Sequence, residues 1–335
     1  PAYICMGTSA IMTDVPGGGT WSSSNTIIAT IGSLTGVVSG VNTGFAVITY
    51  SLGAGCIATK TITVNLPPPG ISGTSRVCVG SSTSLTTGST SGVWISSNTA
   101  VATVGSVSGV VSGVSGGVVT ISYAVSEGCI ATYPVTVNAV PPITGIRNLC
   151  AWGDTVTVHN TDGTGIYSST MVTVANLGSG NARVTSSVPG TGTVSYTSAS
   201  GCTTSTTVTV NPPPGAITGA TSICAGGSST LSCSPGGGTW SSGATGFATV
   251  GSVSGIVSGI AAGTARISYT LPTGCKTDTA FYVNPLPAGI TGWGSIITVG
   301  TSSTYADATP GGTWSSSNTI IATIGSLTGV VSGVN

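Results

Sequence analysis

Gly18-Gly19-Thr20-Trp21-Ser22-Ser23-Ser24-Asn25 leads through Ile28-Ala29-Thr30-Ile31 to Gly36-Val37-Val38-Ser39-Gly40-Val41. The block returns as Gly92-Val93-Trp94-Ile95-Ser96-Ser97-Asn98 and as Gly238-Thr239-Trp240-Ser241-Ser242, and residues 311–335 repeat residues 18–42 without a change. A degenerate copy, Gly165-Ile166-Tyr167-Ser168-Ser169, fills the remaining slot. Self-similarity at a fixed spacing marks a repeat protein, and the period sets the size of the folding unit.

Three landmarks measure that period. First cysteines stand at Cys5, Cys78, Cys150 and Cys224, with Thr298 in the fifth slot. An aromatic residue follows 16 or 17 residues later, at Trp21, Trp94, Tyr167, Trp240 and Trp314. A tyrosine recurs every 73 residues at Tyr50, Tyr123, Tyr196 and Tyr269. The expected organisation is therefore four domains of residues 1–66, 67–139, 140–212 (degenerate) and 213–285, then a partial fifth of 286–335. Short proline-rich joints separate them, such as Asn65-Leu66-Pro67-Pro68-Pro69-Gly70 and Asn211-Pro212-Pro213-Pro214-Gly215. Proline fixes φ, so these read as stiff spacers that align neighbours into a rod.

Within each copy the pattern has period two. Val119-Thr120-Ile121-Ser122-Tyr123 and Ala265-Arg266-Ile267-Ser268-Tyr269 alternate apolar and polar residues, as strands with one buried face do. Tyr133-Pro134-Val135-Thr136-Val137 keeps the alternation, with its proline in an outward slot. Gly-Ser-Val-Ser-Gly, at residues 105–109 and 251–255, reads as a hairpin turn. About seven short strands per copy predict an all-β fold of tandem β-sandwiches in an extended array, rather than a helical solenoid. Strands of this length make modules roughly 20–25 Å long, so the array would span roughly 100 Å or more.

Charge excludes several functions. Six basic and six acidic residues make 4% of the 335-residue chain, against about 25% in ordinary domains. Nucleic-acid binding needs a Lys/Arg stripe and anionic membranes a polybasic cluster; the chain has neither. No apolar run reaches 18 residues, so no membrane span is expected. A nearly uncharged surface removes the electrostatic brake on self-association. Pro1 begins inside a repeat, so any targeting segment has been removed or lies outside these residues.

The cysteines fall into the pairs Cys5/Cys56, Cys78/Cys129, Cys150/Cys202 and Cys224/Cys275, spaced by 51, 51, 52 and 51 residues. Constant spacing in register with the repeat predicts one disulfide inside each domain, worth about 4 kcal/mol for a loop of about 50 residues in the chain-entropy treatment. Reduced core cysteines are the alternative; zinc lacks a CxxC pair or histidine partner. Disulfides predict an extracellular or cell-surface location. Cys233 is left over, either as a buried free thiol or as a crosslink between chains.

Trp-Ser-Ser-Ser-Asn, Ala-Thr-Ile/Val, Gly-Val-Val-Ser-Gly-Val and Gly263-Thr264-Ala265-Arg266-Ile267-Ser268-Tyr269 together resemble bacterial immunoglobulin-like domains of the second group, the stalk repeats of intimin- and invasin-like adhesins. Copies one, two, four and five fit; copy three departs, with Tyr167 for Trp and Met171-Val172-Thr173-Val174 for the usual run. The resemblance implies a spacer fold and names no ligand. The cysteine pair and Val-Asn-Pro-x-Pro joints also resemble repeats of giant secreted proteins exported by type IX secretion. Cysteine, Trp and cysteine in this order resemble the antibody pattern too, which implies an aromatic packed near a sulfur bridge. Trp152 and Trp293 stand outside that register and are candidates for contacts between domains or chains.

A catalytic site is not expected. His159 is the only histidine. Gly113-Val114-Ser115-Gly116-Gly117 matches GxSxG but lies in an all-β hairpin region rather than a strand–turn–helix. Asp154 and Asp162 flank His159 as turn residues, and carboxylates are too sparse for a glycosidase pair or a calcium site. No cofactor or metal is expected. Asp154-Thr155-Val156 and Asp278-Thr279-Ala280 match a short pattern resembling bacterial O-glycan acceptors, which makes Thr155 and Thr279 candidates. The fifth copy stops before its last strands, either because the array continues or because another chain supplies them. The functional expectation is a structural repeat region of an extracellular bacterial fibre or long adhesin stalk. Its partners would be copies of itself, with surface glycans second. The alternative is an adhesin module that itself recognises a carbohydrate or host protein.

Overall fold

The computed structural model describes residues 3–292 and 294–335; Trp293 lies outside the described residues. Among them every regular element is a strand. The first repeat sets the pattern with β1 (Tyr3–Cys5), β2 (Ser9–Ile11), β3 (Thr20–Ser23), β4 (Ala29–Ile31), β5 (Val37–Gly40), β6 (Gly44–Ser51) and β7 (Ile57–Asn65). They form two sheets, ordered β1-β7-β6-β3 and β2-β5-β4. The chain is thus all-β, a tandem series of immunoglobulin-like sandwiches.

The chain divides into two compact units. Unit 1 comprises Pro1–Ile146, Thr157–Val184 and Thr193–Thr207; unit 2 comprises Arg147–Val156, Thr185–Gly192 and Val208–Asn335. In unit 1 the second repeat runs from β8 (Ser72–Gly73) and β9 (Arg76–Cys78) through β10 (Ser82–Thr86), β11 (Gly92–Ser96), β12 (Ala102–Val104) and β13 (Val110–Gly113) to β14 (Gly117–Val125) and β15 (Ile130–Asn138). Residues 105–109 do form a hairpin turn, with β12 and β13 antiparallel on either side. Val119, Ile121 and Tyr123 point inward with almost no exposure while Thr120 between them is exposed. Pro134 sits opposite Thr120 and faces outward, as the alternation requires. The third repeat contributes to both units, from β16 (Thr144–Gly145), β17 (Asn148–Cys150) and β18 (Thr155–His159) through β19 (Ile166–Ser169), β20 (Thr173–Gly178) and β21 (Asn181–Thr185) to β22 (Gly190–Thr197) and β23 (Thr203–Asn211).

In unit 2 the fourth repeat runs through β24 (Ser222–Cys224), β25 (Ser228–Thr230), β26 (Thr239–Ser242), β27 (Ala248–Val250), β28 (Ile256–Gly259), β29 (Gly263–Thr270) and β30 (Lys276–Asn284). Its sheets, β24-β30-β29-β26 and β25-β28-β27, repeat the order of the first repeat. The fifth copy adds β31 (Thr291–Gly292), β32 (Ser302–Ala306), β33 (Ala322–Ile324) and β34 (Val330–Gly333).

Each repeat described by a core cluster draws it from its own strands. In the second, Val77, Leu85, Trp94, Val111, Ile121 and Val135 pack together; in the fourth, Leu231, Trp240, Val257, Ile267 and Phe281 do so. The recurring aromatic and tyrosine face one another across neighbouring strands: Trp94 pairs with Tyr123 and Trp240 with Tyr269. Their ring centroids lie 4.8 and 4.7 Å apart, and those of Tyr167 and Tyr196 4.9 Å, within the range of favourable aromatic pairs. The Trp partner is therefore a tyrosine in its own core. Each tyrosine hydroxyl then ties down the loop above it. Tyr123 accepts from Gly92 N at 2.7 Å and donates to Ser89 O at 3.0 Å; Tyr269 does the same with Gly238 N and Pro235 O. In the degenerate third repeat the acceptor is a carboxylate, Asp162, 3.0 Å from the Tyr196 hydroxyl.

Candidate functional site at the joints between repeats

The first strand of each repeat decides where its cysteine lies. β1 runs parallel to β7, and Cys5 stands beside Asn65, the last residue of β7. Cys56 precedes the first residue of the same strand. Nine residues at about 3.3 Å each put the two cysteines roughly 30 Å apart, far beyond the span of a disulfide. The same register places Cys78 beside Asn138, Cys150 beside Asn211 and Cys224 beside Asn284.

The disulfides consequently join successive repeats: Cys5–Cys129, Cys78–Cys202 and Cys150–Cys275, with Cα–Cα distances of 5.8, 5.6 and 5.6 Å. This corrects the expected Cys5/Cys56, Cys78/Cys129, Cys150/Cys202 and Cys224/Cys275 pairs. Cys56 and Cys224 are free and exposed. The separations of 124, 124 and 125 residues are as regular as the spacing inside a repeat, so spacing alone could not choose. The usable signal was the parallel first strand, which puts the two cysteines of one repeat at opposite ends.

Around the first bridge the two repeats also touch through polar groups. Asn65 Nδ2 donates to Glu127 O at 2.9 Å, and the Tyr3 ring lies against the backbone of Gly128. Gly128 has φ +81°, so it meets two demands that a side chain would break. The Cys129 sulfur lies 3.9 Å from Asn65 O, and that of Cys275 3.9 Å from Asn211 O. Cys129, Cys202 and Cys275 are almost wholly buried.

Cys233 is half-buried, packed on the fourth core, with its thiol 3.3 Å from Gly215 O. Burial pushes its pKa up, which lowers its reactivity. Ser115 of the GxSxG match donates to Ala100 O at 2.6 Å and closes a loop. His159 Nδ1 lies 3.0 Å from Asn181 Oδ1; Asp154 accepts from Cys150 N and Thr155 N; Asp162 accepts from Thr164 and Tyr196. Each of these groups is held by side-chain or backbone partners within its own repeat, and they do not converge. Among the described residues no three of His, Cys, Asp and Glu gather to hold a metal ion. Trp152 is 66% exposed, in a left-handed backbone conformation at φ +61°. Thr155 is exposed at the start of β18, whereas Thr279 is half-buried within β30.

Among the described residues no helix is long and apolar enough to cross a membrane. Each of four repeats projects a large apolar residue from the tip of its hairpin turn: Leu34, Val107, Val253 and Leu327 are 82–90% exposed. In the fifth repeat a cleft of about 620 Å³ opens beside Trp314, Tyr305 and Leu327, on the aromatic that a tyrosine covers in the preceding repeats.

Neither the protein-family models nor the curated proteins include a match to this chain. Among solved structures it is similar to a C-terminal 282-residue fragment of intimin, solved in complex with the intimin-binding domain of the translocated intimin receptor. That likeness has 18% identity and a TM-score of 0.33, and covers 48% of this chain and 69% of that one. The insect immune protein hemolin aligns at 13% identity and TM-score 0.23, over 85% of this chain and 98% of that one. The N-terminal eight Ig domains of Down syndrome cell adhesion molecule align at 10% identity and TM-score 0.25, over 99% and 55%.

Proposed function

We propose that this chain is a structural repeat region of an extracellular bacterial fibre or long surface adhesin stalk, built from immunoglobulin-like repeats of the second bacterial group, and that it associates with copies of itself. The observation that carries this reading is the placement of the disulfides at the joints. A bridge inside a repeat protects that repeat alone, whereas Cys5–Cys129 and its counterparts bind each repeat to the next and make the array mechanically continuous. Bridges of this kind persist in oxidising surroundings, which supports location outside the cell. The nearly uncharged surface and the exposed turn tips Leu34, Val107, Val253 and Leu327 support self-association. The division into five domains at the boundaries given above belongs to this reading. The work of such a chain is mechanical rather than catalytic.

Sedimentation and negative-stain imaging across a concentration series test it. Assembly should grow with concentration, persist at high salt because few charges take part, and weaken when Val107 and Val253 are both changed to Asp. Monodisperse monomers throughout would count against it. The second reading, a module that binds a carbohydrate or host protein, is favoured by exposed Trp152; a glycan array with no signal would dismiss the carbohydrate form. Sugar mass on peptides carrying Thr155 or Thr279 would establish the acceptor proposal.

A further inference from the structure

Three bridges of one design leave three cysteines over, and two of them, Cys56 and Cys224, hold positions that are bridged in the other repeats. Cys224 stands beside Asn284 as Cys5 stands beside Asn65, Cys78 beside Asn138 and Cys150 beside Asn211. The backbone there is already set: Ala225 N donates to Asn284 O at 2.9 Å, as Met6 N does to Asn65 O and Ala151 N to Asn211 O. Asn65 reaches into the following repeat with its amide, but Asn284 turns its amide back to Ser222 Oγ at 2.9 Å.

Cys56 is the complementary half. It closes a turn in which Leu52 N donates to Cys56 O and Cys56 N to Gly53 O. The turns carrying Cys129, Cys202 and Cys275 each close with the same bond onto the cysteine carbonyl, from Val125, Ser198 and Leu271. Those three sulfurs are buried against a preceding repeat and bridged; Cys56 and Cys224 are exposed.

We infer that Cys224 and Cys56 are the two open ends of a disulfide ladder: Cys224 takes the second cysteine of a repeat placed after the fourth, and Cys56 takes the first cysteine of a repeat placed before the first. The partner is a repeat of this same kind, supplied either by a second copy of this chain or by further repeats on the same polypeptide. Each new bridge forms by thiol–disulfide exchange with a low-molecular-weight disulfide such as oxidised glutathione. One protein thiolate attacks the small disulfide and releases the first small thiol. The second protein thiolate attacks the protein sulfur of the mixed disulfide and releases the other. Two protein thiols are oxidised, one small disulfide is reduced to two thiols, and two protons pass between them.

The inference rests on the bridges alone and holds whether the array is a fibre or a binding module. Two arms test it and separate the sources. In the first, the chain is incubated at high concentration in a glutathione redox buffer and mapped under non-reducing conditions. A second copy as partner gives covalent multimers joined through Cys56 and Cys224, abolished in Cys56→Ser or Cys224→Ser and unchanged in Cys233→Ser.

In the second arm the chain is lengthened after Asn335 by its own residues 43–65, which follow the twin residue Asn42. The added cysteine then stands 125 residues beyond Cys224, the separation seen between Cys150 and Cys275. A partner on the same polypeptide gives an intramolecular bridge to Cys224, which leaves only Cys56 and Cys233 reactive, one thiol fewer than the same chain carrying Cys224→Ser. If both cysteines stay fully reactive in both arms while the three existing bridges form, or if either pairs with Cys233, the ladder is overturned.

Discussion

Reducing the bridges should lengthen the stretched chain by a distance that reports which cysteines are joined. In an oxidised molecule held at its ends and fully unfolded, force crosses from Cys5 to Cys129, follows residues 129–150, and crosses again from Cys150 to Cys275. Residues 6–128 and 151–274 stay slack, about 250 of them, and at roughly 3.3–3.6 Å per residue they hide about 850 Å of contour. Four bridges inside repeats would enclose about 50 residues each and hide about 700 Å. Single-molecule extension with and without a phosphine reductant measures the difference. Bridging within repeats would place it near the smaller value and would yield a Cys5–Cys56 peptide in a non-reducing digest; either result refutes the assignment. In equilibrium terms a loop of 124 residues corresponds to about 5 kcal/mol in the chain-entropy treatment. Cys129→Ser should therefore weaken the first two repeats together rather than one of them.

Other expectations concern the cores and their loops. Tyr123→Phe leaves Gly92 N and Ser89 O without their partner and should cost about 1–3 kcal/mol by denaturant titration, with the fourth repeat unaffected. Gly109→Ala should cost about 1–2 kcal/mol or more. Its φ is +70°, and a Cβ there would meet Leu85 O at 2.5 Å and the Trp94 ring at 2.9 Å. The hydroxyl of Thr164 first, and that of Tyr196 with it, hold the Asp162 carboxyl below its ordinary value of 3.8. A depressed folded-state pKa gives stability that is present above the ordinary value and lost as pH falls through the folded one. Acid titration of the third repeat should show that loss below about pH 4, and Asp162→Asn should flatten it. Arg266→Ala, which breaks the exposed pair with Asp278, should change stability by less than about 1 kcal/mol.

The local pattern carried most of the fold. Alternation at residues 119–123 and 265–269 specified strands with one buried face, because side chains on a strand point to opposite sides in turn. The 73-residue spacing of tyrosines recurs in the spacing of the aromatic pairs, and Gly109 marked a hairpin turn, since its φ of +70° excludes most other residues. These are short-range rules, and the chain states them directly.

The site was another matter. Cysteine spacing is a one-dimensional quantity, equally regular at 51 and at 124 residues, and it says nothing of which end of a strand a residue occupies. Only the pairing of β1 beside the far end of β7 separates Cys5 from Cys56 and presents Cys5 to the following repeat. Likewise, the aromatic that follows each first cysteine could have packed on sulfur or on a ring until strand order set it opposite tyrosine. The sequence by itself determined what each repeat is. The tertiary structure decided what joins one repeat to the next, because a disulfide requires its two cysteines within a few ångströms and only the folded arrangement brings distant residues that close.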